Sequence, residues 1–289
     1  MNNLKKLQNI IRYNFLQFFN AKIFISCFLV VLLASTIMMN KINIYKCNIN
    51  ENINVWDYVF RVITSPFFLS WVLLPIMIFI TFDSIKISNI NNNILLRVKT
   101  KNIYILSKFL AISLIIILFL ISLFIGLFII GMIESNFNLS LNWSSAIKNE
   151  SNLEILTNFL YVSNFIRYIN PIIASILILL QFFLISIIIV LFRDFIFYCF
   201  KSTTSSIIIT LIYLGYNFMY FGAIPYISTA NIAIIWFHKF DNMEEIKTLI
   251  GSTNNVQTIQ ESLIISILLI MVLFFLNIRK AKRINAVFI

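Results

Sequence analysis

Residues Phe109–Met132 read FLAISLIIILFLISLFIGLFIIGM, an unbroken run with no charged side chain. As a helix rising 1.5 Å per residue, the run would be about 36 Å long, more than the roughly 30 Å of a bilayer hydrocarbon core. In lipid a chain has no water to satisfy its backbone, so a helix is the form this stretch takes.

Five more runs approach the same criterion on either side: Ile23–Met39, Phe67–Ile85 with Pro75 inside, Ile172–Phe192 with Gln181 inside, Ser205–Tyr226 and Leu263–Ile278. The whole chain has 289 residues, 60% hydrophobic and only 11% charged. So little charge could not cover a soluble domain of this length. The expectation is an all-α polytopic membrane protein, a single transmembrane domain over 1–289 with six transmembrane helices.

Charge supplies the orientation. If both ends lie inside, the inner segments 1–22, 86–108, 193–204 and 279–289 carry 4, 5, 2 and 4 Lys or Arg, 15 of the 22. Nine of the 11 Asp and Glu fall in the outer segments. The positive-inside rule then predicts N and C termini cytoplasmic. The same distribution, basic clusters flanking apolar runs, explains the net charge of +11 without nucleic acid. The first run follows four basic residues and ends without a small-x-small cleavage site, so it reads as an uncleaved anchor.

Leu4, Leu7, Ile11, Phe15 and Phe18 are spaced 3, 4, 4 and 3, one helical face. Lys5, Lys6 and Arg12 populate the rest, so residues 3–19 predict an interfacial helix. Outer segments 40–66 and 133–171 read as polar excursions, and Trp56, Trp143 and Trp236 as interfacial belt residues. In 228–250, the run Asn231–Phe240 would span about 15 Å, half the core. That length predicts short outer-leaflet helices before the last span, turning near Asp241.

Catalytic signals are missing from the sequence. With five Gly and no GxxxxGK[ST] pattern, the chain has no ATP-binding motif, and GxSxG is absent. His238 stands alone, and Cys27, Cys47 and Cys199 are scattered, so neither a metal site nor an intrachain disulfide is expected. Glu244-Glu245 reads as a solvated helix turn. Ionisable groups are absent from the centres of the runs; Asp83, Arg193 and Glu261 sit at their ends. Proton-relay transport is thereby disfavoured, and energy for any transport would come from elsewhere.

The loop between the second and third runs reads Asn91-Asn92-Asn93-Ile94-Leu95-Leu96-Arg97-Val98-Lys99-Thr100-Lys101, then an apolar helix carrying Lys108. The order of Leu-Leu, Arg, a basic turn and an apolar helix resembles the first cytoplasmic loop of type-2 ABC transporter permeases. The plan of interfacial helix, six spans and inner termini is similar too. Asn91–Asn93 stand where that family usually has an acidic residue or Gly. The resemblance implies a coupling helix within loop 86–108, with Leu95, Leu96, Arg97, Lys99, Thr100 and Lys101 meeting a cytoplasmic P-loop ATPase. ATP and Mg would then be bound by that partner, with no cofactor in this chain.

It also implies a second permease subunit, a lipid-embedded plasma-membrane location and no enzymatic activity of the chain itself. In the run Ser205–Tyr226, Tyr213, Tyr216, Asn217 and Tyr220 recur at helical spacing near Gly215, Gly222 and Pro225. These suit close packing, and the resemblance implies a substrate path along this run, through Tyr213, Asn217 and Tyr220, with Trp71 and Pro75 of the second run as weaker candidates for the same role. The function expected is export of an amphipathic or hydrophobic substrate, such as a peptide antibiotic, lipid or drug. Two other classes remain open: a non-transporting immunity or sensor subunit, and a secondary transporter, which would be expected to show inverted repeats.

Overall fold

A computed structural model describes residues 3–46, 52–65, 67–85, 101–148, 169–219 and 259–284, and every regular element among them is helical. The helices are α1 (Asn3–Phe18), α2 (Ala21–Lys46), α3 (Val55–Ile63), α4 (Leu74–Ile80), α5 (Lys101–Glu134), α6 (Pro171–Phe200), α7 (Thr203–Met219) and α8 (Ile259–Ile284). A single helical turn at Ser145–Lys148 lies between α5 and α6.

Among the described residues, four helices are long and apolar enough to cross a membrane: α2, α5, α6 and α8. A fifth crossing is obtained if α3 and the bent stretch Phe68–Ile80 count as one span. α7 is described to Met219, and the rest of the expected fifth run, with the 228–250 helices, lies outside the described residues. Four of the apolar runs thus become single helices, longer than the runs themselves. α5 starts eight residues before Phe109 and α6 ends eight after Phe192, because helix geometry continues past the point where charge ends an apolar run.

α6 is the most buried of the four long helices, and α2 and α8 the least. Against α6 pack α8, α7, α4 and α5, while α1, α2 and α3 pack on α5. Asn170 caps α6, accepting from Ile173 N–H at 2.9 Å, and Pro171 follows where a missing N–H costs nothing. α6 ends at Lys201 in the left-handed region (φ 55°), and Ser202 leads at once into α7. So short a connection makes α6 and α7 antiparallel neighbours.

The segment 40–66 is not the polar excursion the sequence suggested. Within it, α3 is a buried helix, with Val55–Phe60, Val62 and Ile63 all shielded. Its capping box is complete: Asn54 Oδ1 accepts from Trp56 and Asp57 N–H, and Asp57 Oδ2 accepts from Asn54 N–H at 2.8 Å. Asn54 Nδ2 donates to Ser140 Oγ and to Asn142 O, at 2.8 and 2.9 Å. Gly131 lets α3 approach α5, since an added Cβ would stand 3.2 Å from Val55 O.

Trp56 and Trp143 are also corrected. They are not belt residues but buried ones, their indole N–H groups held by Ser140 O and Ile169 O. Their rings pack on Phe60, 6.5 and 4.7 Å between centroids. A buried indole is stable when its one donor finds a carbonyl, and both do. Trp236 lies outside the described residues.

Pro75 shapes the next element. Having no N–H, it cannot bond the carbonyl four residues back, and the turn Phe68–Leu73 before it is π-helical. Leu74 N–H reaches five residues back, to Leu69 O. α4 then ends at Ile80, followed by a 3₁₀ turn at Phe82–Ile85.

Candidate functional site

The most polar buried cluster among the described residues lies at the end of the bundle that carries α1. At its centre is Arg193, on α6, with 0% of its surface exposed. A guanidinium has five N–H donors and no acceptor. All five have acceptors here. Nε donates to Asp194 Oδ1 at 3.2 Å; Nη1 donates to Ile78 O at 3.0 Å and Thr81 Oγ1 at 2.8 Å. Nη2 donates to Ser84 Oγ at 2.9 Å and to Asp194 Oδ1 at 2.7 Å.

The acceptors have a local cause. α4 stops at Ile80, so its last carbonyls lack helical partners, and its C-terminal end is partially negative. Ile78 O is one of those carbonyls. Thr81 Oγ1 donates to Met77 O and Ser84 Oγ to Thr81 O, both at 2.7 Å, which turns their lone pairs to the guanidinium. Arg193 therefore caps the C-terminus of α4 from the neighbouring helix.

Asp194 carries the cluster to α5. Its Oδ2 pairs with Lys108 Nζ at 2.9 Å, and both side chains are at least nine-tenths shielded. Lys108 Nζ also stands 5.6 Å from the ring centre of Tyr198, one turn along α6. Two cations share one carboxylate; the surplus charge faces the α4 carbonyls, the two hydroxyls and the tyrosine ring. Beside the cluster, Asn14 Nδ2 of α1 donates to Ser107 Oγ at 3.0 Å, and Asn277 Nδ2 of α8 donates to Leu191 O at 2.9 Å. Five helices thus meet at polar contacts within a few residues of Arg193.

This clasp joins the two helices that flank residues 86–100. Ser84 is next to the last residue of the 3₁₀ turn, and Lys108 is one of the early residues of α5. Sequence reading set Arg193 at a run end and Lys108 before one, but did not bring them together. The signal was there: Asp194 is the only acidic residue in the four segments assigned inside.

Of the residues singled out for coupling, Leu95, Leu96, Arg97, Lys99 and Thr100 lie outside the described residues, and Lys101 opens α5. Of the path residues, Trp71 is half exposed and lies beside Gly215, whose added Cβ would be 3.8 Å from its ring. Pro75 is partly buried at the start of α4. Tyr213 instead faces α6, its ring 4.9 Å from that of Phe192 and tilted to it by 45°. Asn217 is in α7, and Tyr220 lies beyond the described residues. Trp71 and α7 are therefore brought together, while Tyr213 belongs to the helix packing.

The arrangement offers no nucleophile beside a base. Among the described residues, no three His, Cys, Asp or Glu group as metal ligands. What it can do is hold α4, α5 and α6 in one relative position. Comparison with family models, curated proteins and solved structures found no match to this chain.

Proposed function

We propose that the chain is the permease subunit of an ATP-driven ABC exporter in the plasma membrane. In this reading two six-span subunits pair, and cytoplasmic P-loop ATPase subunits bind ATP and Mg and dock on loop 86–108. The chain itself hydrolyses nothing. The observation that carries the reading is the clasp that joins both flanks of residues 86–100. A push on that loop would reach α4 through Ser84 and α5 through Lys108, both held to α6 by polar bonds. Such bonds switch between discrete arrangements, as rigid-body alternating access requires.

The substrate class follows from what the proposed path offers. Trp71, Pro75 and the run Ser205–Tyr226, which carries Tyr213, Asn217 and Tyr220, offer aromatics and no charges. An amphipathic or hydrophobic molecule, such as a peptide antibiotic, lipid or drug, suits that surface.

The test is replacement of Arg97, Lys99 and Lys101 by Glu. The other inner segments and Lys86 and Lys108 keep 12 basic residues, so insertion should persist. Docking of a co-expressed P-loop ATPase, read by co-purification, should be lost. Unchanged docking, or no ATPase with the wild-type chain, would reject the coupling role.

A further inference from the structure

We infer that the corner between α1 and α5 binds one anionic glycerophospholipid from the surrounding leaflet. Two apolar grooves meet there, of about 600 and 550 Å³, sharing Ile11, Leu114 and Ile117. The first runs down α5 to Ile121 and Ser122, under Gln8 and Arg12 of α1. The second turns the other way, between α5, α6 and α8, to Phe183 and Met271.

Two grooves diverging from one point match a lipid with two acyl chains. From Leu114 to Ser122 the first groove follows α5 for about 12 Å, against roughly 15 Å for one leaflet. The first groove therefore takes most of a chain, and the headgroup lies at α1, which supplies Gln8 and Arg12 to its lining.

Charge selects the headgroup. Arg12 is exposed, and no carboxylate among the described residues pairs with it. Lys5 and Gln8 lie on the same strip of α1, at spacings of 3 and 4 before Arg12. α1 has no acidic residue, and the sequence has none before Glu51. A phosphate with no accompanying cation meets donors there; a choline headgroup would set its ammonium against Arg12. The site needs the membrane setting of the long apolar helices but not the transport reading.

The full chain is purified in detergent, given equal phosphatidylglycerol and phosphatidylcholine of matched chains, and its bound lipids are counted by native mass spectrometry. About fivefold preference for phosphatidylglycerol is expected, the equivalent of about 1 kcal/mol for one basic residue at the surface. Arg12→Gln, at an exposed position, should bring the ratio to near one, and Arg12→Lys should keep it. Ile117→Trp, which fills the meeting point of the grooves, should reduce retention of both lipids. Equal binding by the wild type, or an unchanged ratio in Arg12→Gln, would overturn the assignment. So would loss of dimers without loss of lipid in Ile117→Trp, which would give the corner to a second copy.

Discussion

Replacing Asp194 by Asn tests the clasp most directly. The carboxylate accepts three charge-assisted bonds: from Arg193 Nε, Arg193 Nη2 and Lys108 Nζ. At 2.9 Å and an effective dielectric of about 20, the Lys108 attraction alone is about 6 kcal/mol before desolvation. Burying the charges offsets much of that, so removal of one partner decides the size: about 3–5 kcal/mol. Asn keeps one oxygen for Arg193 but turns a neutral group to Lys108, leaving two buried cations without a carboxylate. Denaturant unfolding in mixed micelles, followed by near-ultraviolet circular dichroism, should show the folded-to-unfolded ratio falling by two to almost four orders of magnitude. The triple replacement Lys108→Met, Arg193→Met and Asp194→Leu should behave differently. Thr81 and Ser84 keep their helical carbonyl acceptors without Arg193, so no hydroxyl donor is stranded. Its stability should match the wild type or exceed it by about 1–4 kcal/mol. A loss below about 1 kcal/mol in Asp194→Asn would refute the clasp as a buried, mutually dependent set.

Two further outcomes are expected. With Cys27, Cys47 and Cys199 replaced by Ser, single Cys at positions 46, 148 and 239 should react with an impermeant thiol reagent in intact cells, while positions 101 and 282 should react only after lysis; labelling of 101 in intact cells would invert the topology. Gln181→Leu should stabilise the protein by about 1–3 kcal/mol in the same unfolding assay, because both amide atoms of Gln181 are buried without a hydrogen-bond partner among the described residues; a destabilised variant would show that this amide has a partner in the folded protein.

The long helices were legible because lipid imposes one strong rule, an apolar run of sufficient length, and α2, α5, α6 and α8 obey it. Their ends were not, because hydropathy marks where charge begins and helices continue: Lys108 and Arg193–Asp194 sit inside α5 and α6, not at their tips. A window average treats those three residues as punctuation. Only tertiary packing brings Lys108 to Asp194 across more than eighty residues. α3 was missed for a related reason. It lies in the stretch 40–66 that reads as a polar excursion, yet its Asp57 is turned back onto Asn54 N–H. The Asn-x-x-Asp spacing of that capping box was the available signal, at the start of an apolar run.

The segment from α3 to the 3₁₀ turn is fastened at both ends and irregular in the middle. At one end, the Asn54 and Asp57 cap is tied to Ser140 and Asn142; at the other, Ile78, Thr81 and Ser84 accept from Arg193. Between them lie a 64° bend and the π-helical turn that Pro75 follows. A displacement of α4 along α6 has to break Arg193's three bonds to α4 and its turn together, because one rigid guanidinium makes them all. Intermediate positions would leave a buried cation without part of its shell, which is costly, so the stable positions are few and discrete. The strain of any such step falls where backbone bonding is already irregular, around Phe68–Leu73. That turn is also where Trp71 meets Gly215 of α7. A change at the clasp and a change at the Trp71 surface are therefore two ends of one element, joined by the seven residues of α4.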